Sequence, residues 1–165
     1  MQKETFEITD DMMATLMQRF CNYLVDFVVQ YLLLMIVFSV VAFLAVMFGN
    51  TAVFDWMADI SLFEQYAIGI VTACLYYGFT ETYLSRTIGK YVTGTVVVHA
   101  DGSKPDSGTI AIRTLCRFIP FEPFSFFWGR GWHDGLSRTY VVKAAALEAH
   151  KNIINSIKDI GAHDL

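Results

Sequence analysis

The feature that most limits how this chain folds is a run of 22 residues without a charge, at positions 27–48. An α-helix rises about 1.5 Å per residue, so about 20 apolar residues cross the hydrocarbon core of a bilayer. The run meets that requirement by itself, and Gly49 and Asn50 end it. The sequence therefore predicts a membrane-spanning helix over about residues 22–48.

A second, weaker apolar stretch follows at about residues 64–84, and it contains Glu81 near its end. Gly69, Ala73 and Tyr77 precede Glu81 at intervals of four residues, and small residues at that spacing let membrane helices approach closely. The predicted fold class is an α-helical membrane protein with two antiparallel transmembrane helices. A cytoplasmic or interfacial lobe, with a short β-hairpin-like segment and amphipathic helices, completes it.

Composition supports this class and excludes others. Apolar residues make up 55% of the chain and charged residues only 17%, whereas a soluble domain is about 25% charged. The net charge of −4 and the lack of a basic cluster argue against nucleic-acid binding. The three cysteines, Cys21, Cys74 and Cys116, show no metal-binding spacing and are expected to be small buried hydrophobic residues. The acidic first 18 residues do not resemble a signal peptide.

The basic residues predict the orientation. Two of the 12 Lys and Arg residues precede the first predicted span, none lies in residues 50–65, and ten follow residue 85. Cytoplasmic segments carry the excess of Lys and Arg, so both termini are expected in the cytoplasm and the acidic loop outside. Part of that loop is expected to form a short helix on the membrane surface.

Beyond residue 85 the pattern predicts the following elements: a strand over 91–99, a turn at Asp101 and Gly102, a helix over 108–118 capped by Asp106 or Ser107, a strand over 139–142 and an amphipathic helix over 144–160. The alternation of Arg113 and Arg117 with apolar residues suits a helix on the cytoplasmic membrane face. Residues 118–128 are aromatic, and either contact the membrane interface or form ordinary core. The predicted divisions are an acidic N-terminal segment (1–18), a membrane domain (19–143) and a C-terminal helix (144–165).

Four polar residues share one face at the start of the first predicted span: Arg19, Asn22, Asp26 and Gln30. Their spacings of three, four and four residues place them on one side of a helix. Asp26 lies two turns beyond Arg19, about 10 Å along the axis and on the membrane side of the headgroups. A carboxylate there is costly against lipid, so Asp26 must face protein, pair with a cation, take a proton or line a water-filled cavity.

Two interpretations of this face stay open. In the first, Asp26 binds an ion or a proton, Arg19 tunes its charge, and Asn22 and Gln30 supply neutral partners. In the second, the four residues form a buried polar cluster that fixes helix packing. Arg19 could also extend toward lipid phosphates.

Glu81 and Asp134 are further candidates for an ion-binding site. Glu81 is roughly level with Asp26, and two carboxylates sharing one site would favour protonation of one of them. We favour the simpler interpretation, in which Glu81 reaches cytoplasmic water. Asp134 follows His133, a pair suited to acid–base chemistry, but no nucleophile or phosphate motif accompanies it. A turn cap, or an ion pair between Asp134 and Arg19 or another arginine, is the preferred interpretation.

Taken in order, these segments resemble the RDD family of small membrane proteins, whose signature is one arginine and two aspartates. Residues 19–26, from Arg19 to Asp26, are similar to the start of the family's first span. Residues 85–102, the arginines Arg113 and Arg117, and residues 131–142 with Asp134 resemble its later segments. The resemblance covers about residues 16–143 and departs at the aromatic block, which leaves a third span over 107–128 open.

The resemblance implies transport of an unidentified small ligand or cation/proton exchange, and it singles out Arg19, Asp26 and Asp134. Because two spans cannot enclose a pathway, transport would require a homo-oligomer or a membrane partner protein. The rival hypothesis is a non-transporting scaffold or accessory subunit of a membrane complex. We expect no enzymatic activity, cofactor or metal. The expected location is a bacterial inner (plasma) membrane, with a multi-pass topology.

Overall fold

The structure is a computed structural model that describes residues 6–122, 125 and 131–163. Its elements, in chain order, are α1 (Leu16–Met47), α2 (Ala52–Ala58), α3 (Leu62–Leu84), α4 (Ile88–Thr93), β1 (Thr95–His99), α5 (Ser107–Cys116), α6 (Trp132–Leu136), β2 (Thr139–Lys143) and α7 (Ala144–His163). The described part of the chain is mostly helical, with one two-stranded antiparallel sheet, which confirms the helical class and the hairpin-like segment of the prediction.

Helix α1 is the long apolar element that the sequence predicted. Thr15 begins it with a capping box, in which the Thr15 hydroxyl accepts from the Gln18 backbone N–H and the Gln18 side chain accepts from the Thr15 N–H. Its 32 residues span about 48 Å. None of its most apolar 18-residue stretch is buried inside the protein. A core helix of a soluble protein would be buried there, so this stretch is suited to lipid.

Helices α2 and α3 follow the turn after α1. The short helix predicted in this loop is confirmed as α2, and its Trp56 stacks on Phe38 of α1 with ring centroids 6.3 Å apart. Ser61 and Glu64 form a second capping box at the start of α3. Among the described residues, α1 alone is long and apolar enough to cross a membrane; α2 and α3 pass that test only as a pair, with a 99° bend between them. The second span and its antiparallel pairing with α1 stay predictions.

The strand predicted over residues 91–99 is wrong in its first half. Residues 88–93 form α4, and only Thr95–His99 are extended. Thr87 caps α4 by accepting from the Lys90 backbone N–H, and Gly94 ends it with a φ of 67°. Glycine adopts this left-handed conformation without steric cost, which lets the chain turn directly from the helix into β1.

Strands β1 and β2 form a ribbon with two different faces. Their register pairs Val97 with Val141 and His99 with Thr139. Because side chains alternate along a strand, one face carries the buried Thr95 and Thr139, which meet the polar ends of the helices. The other face carries Val96, Val98 and Val142, which pack on Met12 and on Leu147 of α7.

Helices α5 and α7 occur where the sequence predicted them. The Asp106 carboxylate caps α5 by accepting from the N–H groups of Gly108 and Thr109. Arg113 of α5 is 0% exposed and faces the interior of the protein. The expected place of α5 on the cytoplasmic membrane face stays a prediction. Five of the eleven residues of the aromatic block at 118–128, namely 123, 124 and 126–128, lie outside the described residues.

Candidate functional site

Nine ionisable side chains meet where the start of α1, the end of α3 and helices α4, α5 and α6 converge. We call this set the polar network: Arg19, Asp26, Glu81, Lys90, Arg113, Arg117, Glu122, His133 and Asp134. With the histidine neutral, its four acids balance its four bases. Such a set is stable inside a protein only if each charge finds partners.

Asp26 is buried and held by three neutral donors. Its Oδ1 accepts from the Tyr76 hydroxyl at 2.7 Å and from the Gly89 N–H at 2.8 Å, and its Oδ2 accepts from the Thr87 hydroxyl at 2.6 Å. Both hydroxyls also accept a backbone N–H from the first turn of α4. Asp26 and Tyr76 therefore satisfy helix N-terminal groups that would otherwise lack partners.

Helix α4 lies so close to α1 that only glycine fits at position 89. A Cβ there would lie 2.4 Å from the Asn22 backbone oxygen and 3.0 Å from Asp26 Oδ1. The Asn22 amide bridges the hydroxyls of Thr93 and Thr95 at 2.5 and 3.1 Å. In the amide orientation that suits these neighbours, its nitrogen also donates to the Gly89 carbonyl at 3.0 Å. Asn22 thus holds α4 against α1.

Glu81 is 0% exposed and is bound by three cations. Lys90 Nζ and Arg117 Nη2 donate to its Oε1 at 2.8 and 3.0 Å, and Arg113 Nε donates to its Oε2 at 3.0 Å. The prediction that Glu81 reaches cytoplasmic water is therefore wrong, because these cations offset the cost of burying the carboxylate. Burial lowers the pKa of Lys90, and the nearby Glu81 charge offsets that effect only in part.

Arg113 connects two of the buried carboxylates. Its Nε contacts Glu81, while its Nη1 donates to Asp134 Oδ1 at 2.7 Å and to the Thr139 hydroxyl. A guanidinium suits this position because its donors form a rigid planar fork. Arg113 therefore ties the end of α3 to α6 and to the β-ribbon.

Asp134 is 0% exposed and joins α6 to the start of α1. Arg19 Nη1 donates to its Oδ2 at 2.6 Å, across 115 residues of sequence. Burial by itself raises the pKa of Asp134, but the charges of His133, Arg113 and Arg19 outweigh burial and hold that pKa well below its ordinary value. Of the interpretations offered for Asp134, the structure shows the ion pair with Arg19.

His133 places both ring nitrogens against carboxylates. Its Nδ1 contacts Glu122 Oε1, and its Nε2 lies 3.3 Å from Asp134 Oδ1. Burial lowers the pKa of His133, and the Asp134 charge opposes that effect. Burial alone would raise the pKa of Glu122, but the hydrogen bond with His133 and the charges of His133 and Arg117 together outweigh it, so the Glu122 pKa is lowered.

A cavity of about 40 Å³ opens among these groups. Its lining comprises Arg19, Asn22, Tyr23, Asp26, Lys90, Arg117, Glu122, His133 and Val141. One water needs about 10–15 Å³ of such volume, so the cavity holds on the order of three waters. Pockets for organic ligands are about 300–1,000 Å³. Within the described ranges, no group of three or more His, Cys, Asp or Glu side chains is placed to hold a metal ion.

A groove of about 200 Å³ adjoins the cavity, between α1 and α3. It shares Tyr23, Arg117 and Glu122 with the cavity lining and extends along Phe27, Gln30, Ala73, Tyr77 and Phe118. The Arg117 guanidinium covers the Tyr77 ring at 4.0 Å, a cation–π contact that stabilises its buried charge. The groove therefore leads from the apolar halves of the two helices to the charged cavity.

The four polar residues predicted on one face of α1 divide into two groups. Arg19, Asn22 and Asp26 line the cavity, whereas Gln30 lies in the groove. The predicted tuning of Asp26 by Arg19 is not a direct contact, because Arg19 pairs with Asp134. Ion binding by these residues, and by Glu81 and Asp134, stays a prediction.

Several members of the polar network were not predicted as site residues: Lys90, Arg113, Arg117, Glu122 and His133. One signal was present in the sequence. Two carboxylates, at positions 26 and 81, sit in apolar stretches of the sequence and need partners. The arginines at 113 and 117 are four residues apart and share one helix face, so they are suited to supply those partners together.

The fold thus combines an apolar helix suited to lipid with a lobe that is closed by buried arginine–carboxylate pairs, which defines a membrane protein with a polar site at one end of that helix. A family model described as the RDD family matches residues 13–136. That match covers 124 of the 165 residues and includes Arg19, Asp26 and Asp134. The chain belongs to the RDD family of membrane proteins. A search of curated proteins and a search of solved structures each found no match.

Proposed function

We propose that this protein exchanges protons for a small monovalent cation across a bacterial inner membrane, and that it does so as an oligomer. The observation that carries the proposal is the cavity of about 40 Å³ among ionisable side chains of α1, α4, α6 and the segment that follows α5. A space that holds on the order of three waters favours protons and small ions over an organic ligand.

The charge balance of the polar network supports proton handling. Four acids and four bases cancel when His133 is neutral, so one added or released proton leaves a net charge of only one. A site of larger net charge would resist either the gain or the loss of a proton more strongly. In this proposal Asp26 organises the cavity and anchors α4, because its three donors already occupy both oxygens.

The proposed topology is multi-pass. Helix α3 supplies the second span, α2 lies across the outer membrane surface, and both termini are cytoplasmic, which follows from the ten basic residues beyond position 85. Two spans cannot enclose a pathway. In this proposal, neighbouring copies of the chain complete the pathway by packing against the lipid-suited face of α1 and the groove beside α3.

Sodium- and proton-flux assays in proteoliposomes test the proposal. Wild type is compared with Asp26→Asn and with Glu148→Gln, a matched control in which an exposed carboxylate on α7 is neutralised. We expect proton-driven sodium flux in the wild type and the control and its loss in Asp26→Asn. All three are compared at equal incorporation and equal folded fraction. Absence of flux from folded wild type would refute exchange of these ions.

A second candidate function is a non-transporting scaffold in a membrane complex. It is favoured by the ion pairs of Glu81 and Asp134, which connect α1, α3, α4, α5 and α6 and stabilise the fold without any ligand. Co-purification from native membranes separates the two candidates. A stoichiometric unrelated membrane protein favours the scaffold, and a homo-oligomer favours exchange.

A further inference from the structure

We propose that Glu122 and His133 form a proton-binding pair that shares one proton and exchanges it with water in the cavity. Both side chains line that cavity, together with Asp26. The proposal deepens the proposed function, since it names the groups that would take the proton. The binding itself rests on geometry that does not depend on transport.

The two contacts of the His133 ring favour an additional proton. A neutral imidazole has one N–H donor and one acceptor, whereas both ring nitrogens of His133 face carboxylate oxygens, of Glu122 and of Asp134. A neutral ring between two ionised carboxylates would leave one nitrogen facing an oxygen, with no hydrogen between them. One additional proton, on the ring or on Glu122, satisfies both contacts.

The other carboxylates of the polar network are less free to take that proton. Two arginines hold Asp134, three cations hold Glu81, and three neutral donors hold Asp26. Glu122, in contrast, is bound by the His133 ring itself. Their titration therefore belongs to the pair and not to either residue alone.

The groups around the pair affect its protonation in opposite directions. The charged groups that face it are Arg113 from α5, Arg117 directly after α5, Asp134 from α6, and, across the cavity, Arg19 and Asp26 from α1 and Lys90 from α4. Burial and the arginines disfavour a proton on His133, whereas the two carboxylates favour it. The proton affinity of the pair is therefore set by the balance of these opposing influences.

Release of the proton is a simple transfer to water. The N–H bond of the ring, or the O–H bond of Glu122, breaks, and a new O–H bond forms on a cavity water to give hydronium. The pair is left with a neutral ring and an ionised Glu122. After release, the ring nitrogen Nδ1 and the ionised Glu122 are separated by a water, or the ring rotates slightly away from the carboxylate. Gly131 leaves space beside the ring for that rotation, because a Cβ at this position would lie 3.1 Å from the ring Cε1.

Nitrogen-15 NMR of the four histidines tests the pair in the full chain, reconstituted in lipid nanodiscs and titrated from about pH 4 to pH 8. A His133→Gln variant assigns the His133 signal. We expect that signal to titrate, and its midpoint to fall by about one to three pH units in Glu122→Gln, because the carboxylate that favours the protonated ring is gone. Glu148→Gln, on the exposed side of α7, should leave the midpoint unchanged.

Two results would overturn the proposal: a His133 signal that does not titrate in this range, or an equal midpoint in wild type and Glu122→Gln. If Glu122→Gln does not fold, Glu122→Asp is used instead, because it keeps the carboxylate but moves it one methylene away from the ring. The proposal then requires the midpoint of the His133 titration to fall, by less than the fall expected for Glu122→Gln. The outcome is independent of the flux assay. A normal titration without flux would leave the proton site standing and remove only its assignment to exchange.

Discussion

Replacement of Gly89 by alanine tests the close packing that holds the site together. The new Cβ would lie 2.4 Å from the Asn22 backbone oxygen, and a backbone atom cannot move aside as a side chain does. Helix α4 must therefore shift by almost 1 Å to reach a normal contact. Such a shift lengthens the 2.8 Å hydrogen bond from the Gly89 N–H to Asp26 beyond a normal hydrogen-bond distance.

The expected cost follows from these contacts. Loss of a hydrogen bond to a charged group costs about 1.5–3 kcal/mol, and overpacking costs about 1–3 kcal/mol. The higher helix propensity of alanine returns up to about 1 kcal/mol. We therefore expect Gly89→Ala to lower the free energy of unfolding by about 1.5–6 kcal/mol.

Gly78→Ala is the matched control, because a Cβ at this position on α3 meets nothing within 4 Å. Unfolding of both variants in mixed detergent micelles, followed by circular dichroism, gives the difference directly. The control should differ from wild type by no more than about 1 kcal/mol. Equal stability of Gly89→Ala and Gly78→Ala would refute the argument that α4 is packed against α1 through a glycine.

Three further predictions concern the buried ion pairs. Asp134→Asn removes a carboxylate partner from both Arg19 and Arg113. In the same unfolding assay, the free energy of unfolding should fall by about 3–5 kcal/mol, and a fall below about 1 kcal/mol would contradict this prediction. Because the folded pKa of Asp134 lies well below 3.8, wild-type stability should fall as the pH drops below about 4, and Asp134→Asn should flatten that acid dependence in unfolding measured against pH. In Arg113→Lys, the lysine cannot bridge Glu81 and Asp134, so the free energy of unfolding should fall by a similar amount. Arg138→Lys, at an exposed position, should change the free energy of unfolding little.

The elements that depend on local signals could be predicted from the sequence. An uncharged run of sufficient length gives α1, and Asp106 ahead of residues 107–116 gives a capped α5. The turn at Asp101 and Gly102 is also local, and Gly102 has the positive φ of 71° that favours glycine. These features depend on neighbours within a few residues, so no knowledge of the tertiary structure is needed.

Helix α4 shows why other elements could not be predicted. Its β-branched residues indicate a strand, but Asp26 and Tyr76 satisfy its first-turn N–H groups from sites more than ten residues away in sequence. Tertiary contacts of this kind override local preference. Only β1, beyond Gly94, keeps the extended conformation that the pattern indicates.

Helix α5 shows the same limit for the site. The helical period correctly groups Arg113 and Arg117 on one face, but period alone does not say whether that face is turned to water or to the interior. Arginines are usually assigned to water. Here they are buried because carboxylates on α3 and α6 need cations, and that pairing joins residues 21 to 36 positions apart.

The bond between Arg19 and Asp134 sets an order of events during synthesis. The two residues are 115 positions apart, and a ribosome adds about 5–20 residues per second. Arg19 therefore exists for about 6–23 s before its partner is made, during which α1 is already long enough to enter the bilayer. The nascent chain must keep that arginine hydrated or bound to lipid phosphate until α6 emerges. Closure of the fold is thus one of its last steps, and the chain is most exposed to misassembly and to quality-control proteases before α6 is complete.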